Sequence, residues 1–215
     1  MTEKEIFDII FLRHGESVGN AESRWQGQAD FPLTDKGREQ ARALGDRWLA
    51  EGQSFDYILA SPLKRAKETA DIIGNGLKLP VETDPIWMER NIGDVAGMTG
   101  EEVNQRFPIR NDITPFAPII GGEGEGNWEL YLRAGRALQG LINREPGKYL
   151  VVSHGGLLNQ VMHAVVGITP HAGFSGPRFR FTNTGFAHLT YRAHSHQWQI
   201  NAINDRSHWN GKESD

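Results

Sequence analysis

The sequence predicts an α/β protein: a three-layer sandwich with a mostly parallel central sheet, an antiparallel C-terminal strand or hairpin, and helices on both faces. Three observations predict it. Short apolar runs at 6–12, 57–60, 81–83 and 149–152 alternate with amphipathic stretches, and strands alternating with helices imply a parallel sheet covered on both sides. The first and fourth runs end alike, in Arg13-His14-Gly15 and Ser153-His154-Gly155-Gly156. The last two runs, 186–191 and 198–203, flank Ala193-His194-Ser195-His196 and read as a hairpin, which requires an antiparallel pairing.

Taken in order, 6–12 is short, continuous and apolar, as a buried strand is. Residues 17–33 are polar, with Trp25-Gln26-Gly27 and Pro32, and read as a loop. Thr34 is the expected N-cap of a helix whose Ala41, Leu44, Trp48 and Leu49 share one face, and Gly52 follows its end. After strand 57–60, Ser61 is expected to cap the next helix with Pro62 at its first position, and Gly74 and Gly76 to end it. Residues 85–100 are irregular and contain Glu89; 101–107 is a short helix stopped by Pro108. A shift to Pro, Gly and isolated apolar residues then marks a cap or insertion, about 100–126 in all, of the kind that is usually functional. Helices follow at 127–143 and 156–166, and the tail after His208 is polar and expected to be loose.

One domain over 1–215 is expected from the length. With 38% apolar and 23% charged residues, the chain falls among globular rather than disordered sequences. A net charge of -4 argues against a nucleic-acid or anionic-membrane binder, so an anion site must be a local cluster of cations. The absence of cysteine excludes disulfides, thiolate metal sites and cysteine nucleophiles, and fits a cytoplasmic protein. The charged start Met1-Thr2-Glu3-Lys4-Glu5 lacks the apolar core of a signal peptide, and no stretch approaches the length of a membrane span. A homodimer is expected on base rate alone.

The two strand-His-Gly units deliver one arginine and two histidines to strand ends, where open α/β sheets bind ligands. Arg forks, backbone N–H groups and helix N-termini are what a phosphoryl group requires, and Arg13, Arg65 and the Gly155-Gly156 helix start supply one of each. Glycine there lets the backbone approach a ligand. A histidine beside a cation is held neutral, and a neutral imidazole nitrogen can attack phosphorus; His14 beside Arg13 meets that condition. A carboxylic acid must protonate the leaving alkoxide, and Glu89 lies where it can reach the same mouth. Taken singly, each residue has a plainer reading: a hydrogen-bonded structural histidine, a surface arginine with a packed stem, an exposed Glu89-Arg90 ion pair. The set, all at strand ends or first helical turns on one side of the sheet, favours chemistry.

Arg13-His14-Gly15-Glu16-Ser17, followed by Asn20, Gln26-Gly27, Asp30 and Leu33-Thr34, resembles the opening signature of the histidine phosphatase superfamily, in the branch of the cofactor-dependent phosphoglycerate mutases and their phosphatase relatives. Ser61-Pro62-Leu63-Lys64-Arg65-Ala66 with Glu68-Thr69-Ala70 resembles the second block, Glu89 with Gly93 and Gly97 the third, and Ser153-His154-Gly155-Gly156 the fourth. The blocks stand in family order over most of the chain. The resemblance implies that His14 is phosphorylated; that Arg13, Arg65 and His154 hold the phosphoryl oxygens; that Asn20 and the Gly155 amide add hydrogen bonds; that Glu89 is the proton donor and then the base; and that Gln26 and Gly27 contact substrate. It implies a small-molecule phosphate ester as substrate and neither a metal nor another cofactor. His194 and His196 are therefore read as a hairpin tip rather than ligands.

Phosphatase or mutase is the open choice. A 2,3-bisphosphoglycerate-dependent phosphoglycerate mutase resembles the phosphatases but carries extra basic residues and a larger insertion after the acid. Here the insertion is short, Arg106 and Arg110 stand against Asp112, Glu123, Glu125 and Glu129, and Ile92 stands where mutases carry a tyrosine. These favour hydrolysis. Against them, Val95-Ala96-Gly97 stands where phosphatases show Trp-Glu-Gly, and Glu89-Arg90 is closer to the mutase pattern. Trp25, Trp87, Met98, Phe116 and Trp128 fit either an apolar wall of the mouth or the core. Two other classes weigh less. Gly15-Glu16-Ser17-Val18-Gly19 matches a serine-hydrolase elbow but follows the first strand, before a sheet is built. A non-catalytic phospho-ligand binder has no need of His14 and Glu89. No Gly-x-Gly-x-x-Gly follows a strand, which excludes the dinucleotide fingerprint.

Overall fold

The computed structural model describes residues 5–107, 114–120 and 123–211. The expected stop at Pro108, the cations and acids at 110 and 112, the first residues of the chain and its last four lie outside the described residues.

Among the described residues six strands form one sheet in the order β3-β2-β4-β1-β5-β6. These are β1 (Ile6–Arg13), β2 (Tyr57–Ala60), β3 (Val81–Thr83), β4 (Lys148–Ser153), β5 (Phe186–Arg192) and β6 (Gln197–Asp205). The first four run parallel; β5 is antiparallel to β1, and β6 to β5. The predicted class holds, including the hairpin, whose tip carries His194 and His196.

Among the described residues six α-helices accompany the sheet: α1 (Val18–Ala21), α2 (Asp35–Ala50), α3 (Lys64–Leu77), α4 (Gly100–Arg106), α5 (Asn127–Ile142) and α6 (Gly155–Val166). Alternation along β1 makes the layers, because successive side chains of a strand point to opposite faces. Phe7, Ile9 and Phe11 pack with α5 and α6 on one side. Ile10 and Leu12 pack with Leu44, Trp48, Ala66, Ala70 and Ile73 of α2 and α3 on the other. In β4, Tyr149 and Val151 join the first core, Leu150 and Val152 the second. Each fully buried aliphatic or aromatic side chain contributes about 1.5–3 kcal/mol. Among the described residues no helix is long and apolar enough to cross a membrane.

Three expectations change. Residues 17–33 are not all loop: Ser17 caps the four-residue α1, its Oγ receiving the Asn20 N–H while Asn20 Oδ1 receives the Ser17 N–H. Ser61 does not cap α3. That helix starts three residues later with Leu63 at the cap, and its first N–H, from Lys64, is received instead by Asp30 Oδ1 at 2.7 Å. Nor do Gly74 and Gly76 end it. It continues to Leu77, where Lys78 takes the left-handed conformation (φ 59°) and the Leu79 N–H returns to the Gly74 carbonyl.

Candidate functional site

Strands β1 and β4 are adjacent and parallel, with Arg13 opposite Ser153. His14 and His154 therefore leave the sheet side by side, their ring centroids 5.0 Å apart. The turn after β1 is held by three successive N–H groups, each received by a different element. His14 N–H goes to the Ser153 carbonyl, Gly15 N–H to Thr69 Oγ1 of α3, and Glu16 N–H to Gln40 Oε1 of α2. Satisfying a buried backbone this fully fixes the direction of the His14 side chain.

His14 is buried, and its Nδ1 lies 2.7 Å from the Gly15 carbonyl, so that nitrogen carries the proton and donates it. Nε2 is then the unprotonated nitrogen, and it accepts the Arg65 Nε–H at 3.3 Å. Burial, then the charges of Arg65 and Arg13, hold this imidazole well below its usual pKa. The expected neutrality holds, but burial and Arg65 come ahead of the neighbouring Arg13.

Arg65 is itself buried, and its guanidinium is clamped by the Gly27 carbonyl at 2.7 Å and the Ala29 carbonyl at 2.8 Å. Burial lowers its pKa to about 10, with Glu89 and Asp30 opposing, so it remains a cation at neutral pH. Gly27 has a positive φ of 49°, and a Cβ there would strike Ile92. Glycine is therefore required to present the carbonyl that holds Arg65. Arg13 donates from Nη1 to the Phe181 carbonyl at 2.7 Å.

His154 lies behind the cavity wall, fully buried, with Nε2 at 2.8 Å from Ser61 Oγ and Nδ1 without a hydrogen-bond partner. Burial, then Arg65, then His14 hold its pKa well down. Glu89 closes the opposite side: its carboxylate accepts the N–H groups of Arg90 (2.7 Å), Gly156 (2.9 Å) and Leu157 (3.1 Å), at the first turn of α6. Of the two glycines there, Gly156 is the sterically demanding one, because a Cβ would run into Glu89 Oε1, whereas at Gly155 it would stand 3.7 Å from Arg13 Cδ. That corrects the reason for this glycine: it admits the Glu89 carboxylate.

Asn20 Oδ1 is engaged by Ser17 and by Asn183 Nδ2, and Gln26 Oε1 lies 2.7 Å from Ser17 Oγ. Ser17 is thus bound to two amides rather than to a histidine, and the elbow reading loses its base. His14, Arg13, Arg65, Glu89, Asn20, Gln26, Gly27 and Gly155 all line one cavity of about 840 Å³. Trp25 lines it too, against Phe174 at 5.8 Å, whereas Trp87 is core against Phe11. Pro118, Ile119 and Ile120 of the insertion form part of its wall.

Ser61, expected from sequence as a helix cap, orients His154 instead. Other parts of the site were not singled out by sequence. Arg133 of α5 donates to the Ile86, Met88 and Glu89 carbonyls and pairs with Glu125, so it fixes the backbone that carries Glu89. Residues 171–183 form a whole wall, tied to α5 by Asn127 Nδ2 through the His171 and Gly173 carbonyls. That stretch has no helical or strand period, and only its Pro and Gly content hinted at a structured loop.

A sequence profile of the histidine phosphatase superfamily (branch 1) matches residues 9–206. A probable phosphoglycerate mutase of Yersinia enterocolitica is 33% identical over 215 residues, covering 94% of this chain and 95% of its own. An uncharacterized phosphatase of Bacillus subtilis is 31% identical over 204 residues, covering 94% and 97%. Among solved structures, YhfR of Bacillus stearothermophilus superposes with a TM-score of 0.82 at 31% identity, covering 94% of this chain and 98% of that one.

Proposed function

The chain belongs to branch 1 of the histidine phosphatase superfamily, and from that premise we propose that it hydrolyses phosphate monoesters of small metabolites through a phosphohistidine on His14, without a metal. The observation that carries this reading is the state of His14: a buried, neutral imidazole whose Nδ1–H is fixed on the Gly15 carbonyl, so that Nε2 is the unprotonated nitrogen and can attack once an arriving phosphoryl group draws the Arg65 Nε–H, 3.3 Å away, onto its own oxygens. In the first step Nε2 forms a bond to phosphorus as the ester oxygen leaves. Glu89 supplies the proton to that oxygen and then takes one from the water that attacks phosphohistidine. Arg13 and Arg65 hold the phosphoryl oxygens, with Asn20 and the Gly155 amide adding donors; His154 packs its ring against His14 from behind the cavity wall and keeps the nucleophile in place. The residues are carried on one domain, with Pro118, Ile119 and Ile120 of the insertion on the wall of the site.

Hydrolysis is favoured over phosphoryl return to a sugar acid by the state of Arg90. Its guanidinium is occupied by the Glu125 carbonyl and Asn127 Oδ1, which holds it back from a substrate carboxylate. The mutase reading rests on Glu89-Arg90, on Val95-Ala96-Gly97 in place of Trp-Glu-Gly, and on the Yersinia relative's name.

The test is a phosphate-release assay in EDTA with p-nitrophenyl phosphate, a panel of natural monoesters, and 3-phosphoglycerate with 2,3-bisphosphoglycerate. Release is expected, together with an acid-labile phosphoenzyme on rapid quench, and both should vanish in His14→Ala. Activity that survives in His14→Ala overturns the assignment; phosphoglycerate interconversion without phosphate release makes the protein a mutase.

A further inference from the structure

Helix α6 begins at the phosphoryl end of the cavity and runs along its wall: Gly155, Gly156, Asn159 and Gln160 all line it. Asn159 and Gln160 stand one turn beyond the glycines, about 5–6 Å along the axis. This is where the first atoms beyond an ester oxygen would lie. Gln160 is 4% exposed, yet neither end of its amide makes a hydrogen bond; its Oε1 is among the buried atoms without a partner. Asn159 Oδ1 is held by the Phe179 N–H at 2.7 Å, which fixes the amide and leaves Nδ2 as a donor.

A buried primary amide without partners costs stability, and native structures rarely tolerate one. Here it faces a cavity, beside a second amide whose orientation is locked. An amide can both give and take a hydrogen bond, as can a hydroxyl. Trp25 and Phe174, on the lining of the same cavity with their rings tilted 50° to one another, offer apolar ring faces, which suit the C–H face of a polyol or sugar. We propose that Asn159 and Gln160 form the leaving-group subsite of this cavity and select phosphate esters of hydroxylated leaving groups, sugar or polyol phosphates, over alkyl phosphates of the same length. This rests on the phosphatase reading for its phosphoryl end only.

Matched esters test it: sn-glycerol 3-phosphate against n-propyl phosphate, and xylitol 5-phosphate against n-pentyl phosphate. Each pair shares its carbon count and differs only in hydroxyls. Equilibrium dissociation constants are measured on His14→Ala by calorimetry, and kcat/KM on the unmodified protein. Tighter binding of the hydroxylated member, by on the order of tenfold, is expected. That preference should collapse towards unity in His14→Ala combined with Gln160→Met, and return in part with Gln160→Asn. Gln160→Met should melt no lower than its parent, since no hydrogen bond is lost. Equal binding within each pair, no binding of either, or a preference that persists in Gln160→Met overturns the subsite. Tighter binding of 3-phosphoglycerate than of glycerol 3-phosphate assigns the amides to a carboxylate and also overturns it. Binding preference without phosphate release from any ester, p-nitrophenyl phosphate included, keeps the subsite and overturns the phosphatase reading.

Discussion

Glu89 sits on Gly156: its Oε2 accepts the Gly156 N–H at 2.9 Å, and its Oε1 occupies the space a Cβ would take. The carboxyl group is thereby fixed in place at the first turn of α6. Replacing Gly156 by alanine must push Glu89 away from the reacting centre without touching either histidine. A displacement of about 1 Å at a reacting group costs on the order of 100-fold. Gly156→Ala should therefore lose about that much in kcat on alkyl phosphates and far less on p-nitrophenyl phosphate, whose leaving group needs little protonation. Equal losses on both substrates would dissociate this glycine from the acid.

Arg65 is held by two backbone carbonyls and donates to His14 Nε2. A lysine has a single charged head and cannot reproduce that fork. In Arg65→Lys the carbonyls of Gly27 and Ala29 lose their donors, at a cost of about 1–3 kcal/mol each if left unmet. Turnover should drop by about 100- to 1,000-fold, the usual effect of removing one preorganised donor from a charge-stabilising site. Paired steady-state kinetics and urea melts on this variant should show both losses together; a kinetic defect in a fully stable variant would contradict the clamp.

Much of this arrangement was legible in the sequence, because its parts sit where local rules are strong. Strand-His-Gly at 11–15 and 151–155 located both histidines, and the short, continuous apolar runs alternating with amphipathic stretches gave the sheet. The misreadings share a cause: a residue with a strong local preference was taken by a distant partner. Ser61 has the chemistry of a cap but is claimed by His154, ninety-three positions away. Asp30, in a loop, caps α3 in its stead. Gly74 looks like a helix stop, but Lys78 supplies the left-handed turn. Arg133 looks like any outward arginine of an amphipathic helix, and only the fold brings three carbonyls of 86–89 to it. Long-range pairings of this kind leave no periodic trace.

Both site histidines have depressed pKa values, through burial first and then the charge of Arg65. His208 is lowered to about 4, again by burial first and then by Arg47. Unfolded histidines titrate near 6.5. Above that pH neither folded nor unfolded chain holds the extra protons, and the stability from these groups is full. As pH falls through 6.5 the unfolded chain takes up protons that the folded chain refuses, so stability is lost, by up to about 1.4 kcal/mol per pH unit for each histidine. For His208 the loss continues down to about pH 4. Urea midpoints measured from pH 8 to pH 4.5 should decline steadily below 6.5, and less steeply in His14→Ala. A midpoint that is flat over this range would contradict the depressed values.

Ser61 is a positioning residue, acting through His154. Its Oγ lies 2.8 Å from His154 Nε2 and also receives the Leu63 N–H at 3.3 Å. In Ser61→Ala the imidazole loses its sole hydrogen-bond partner among the described residues and is free to turn about its ring bond. A reactive group that depends on a supporting shell for its angle loses activity when that shell goes. A fall in kcat of about tenfold is expected, with KM changed less, and Ser61→Thr should recover most of it by restoring the hydroxyl. A role confined to the start of α3 predicts the reverse: a lower melting temperature, unchanged kcat, and no rescue of turnover by threonine. Melting curves and kcat measured on the same two variants distinguish the two.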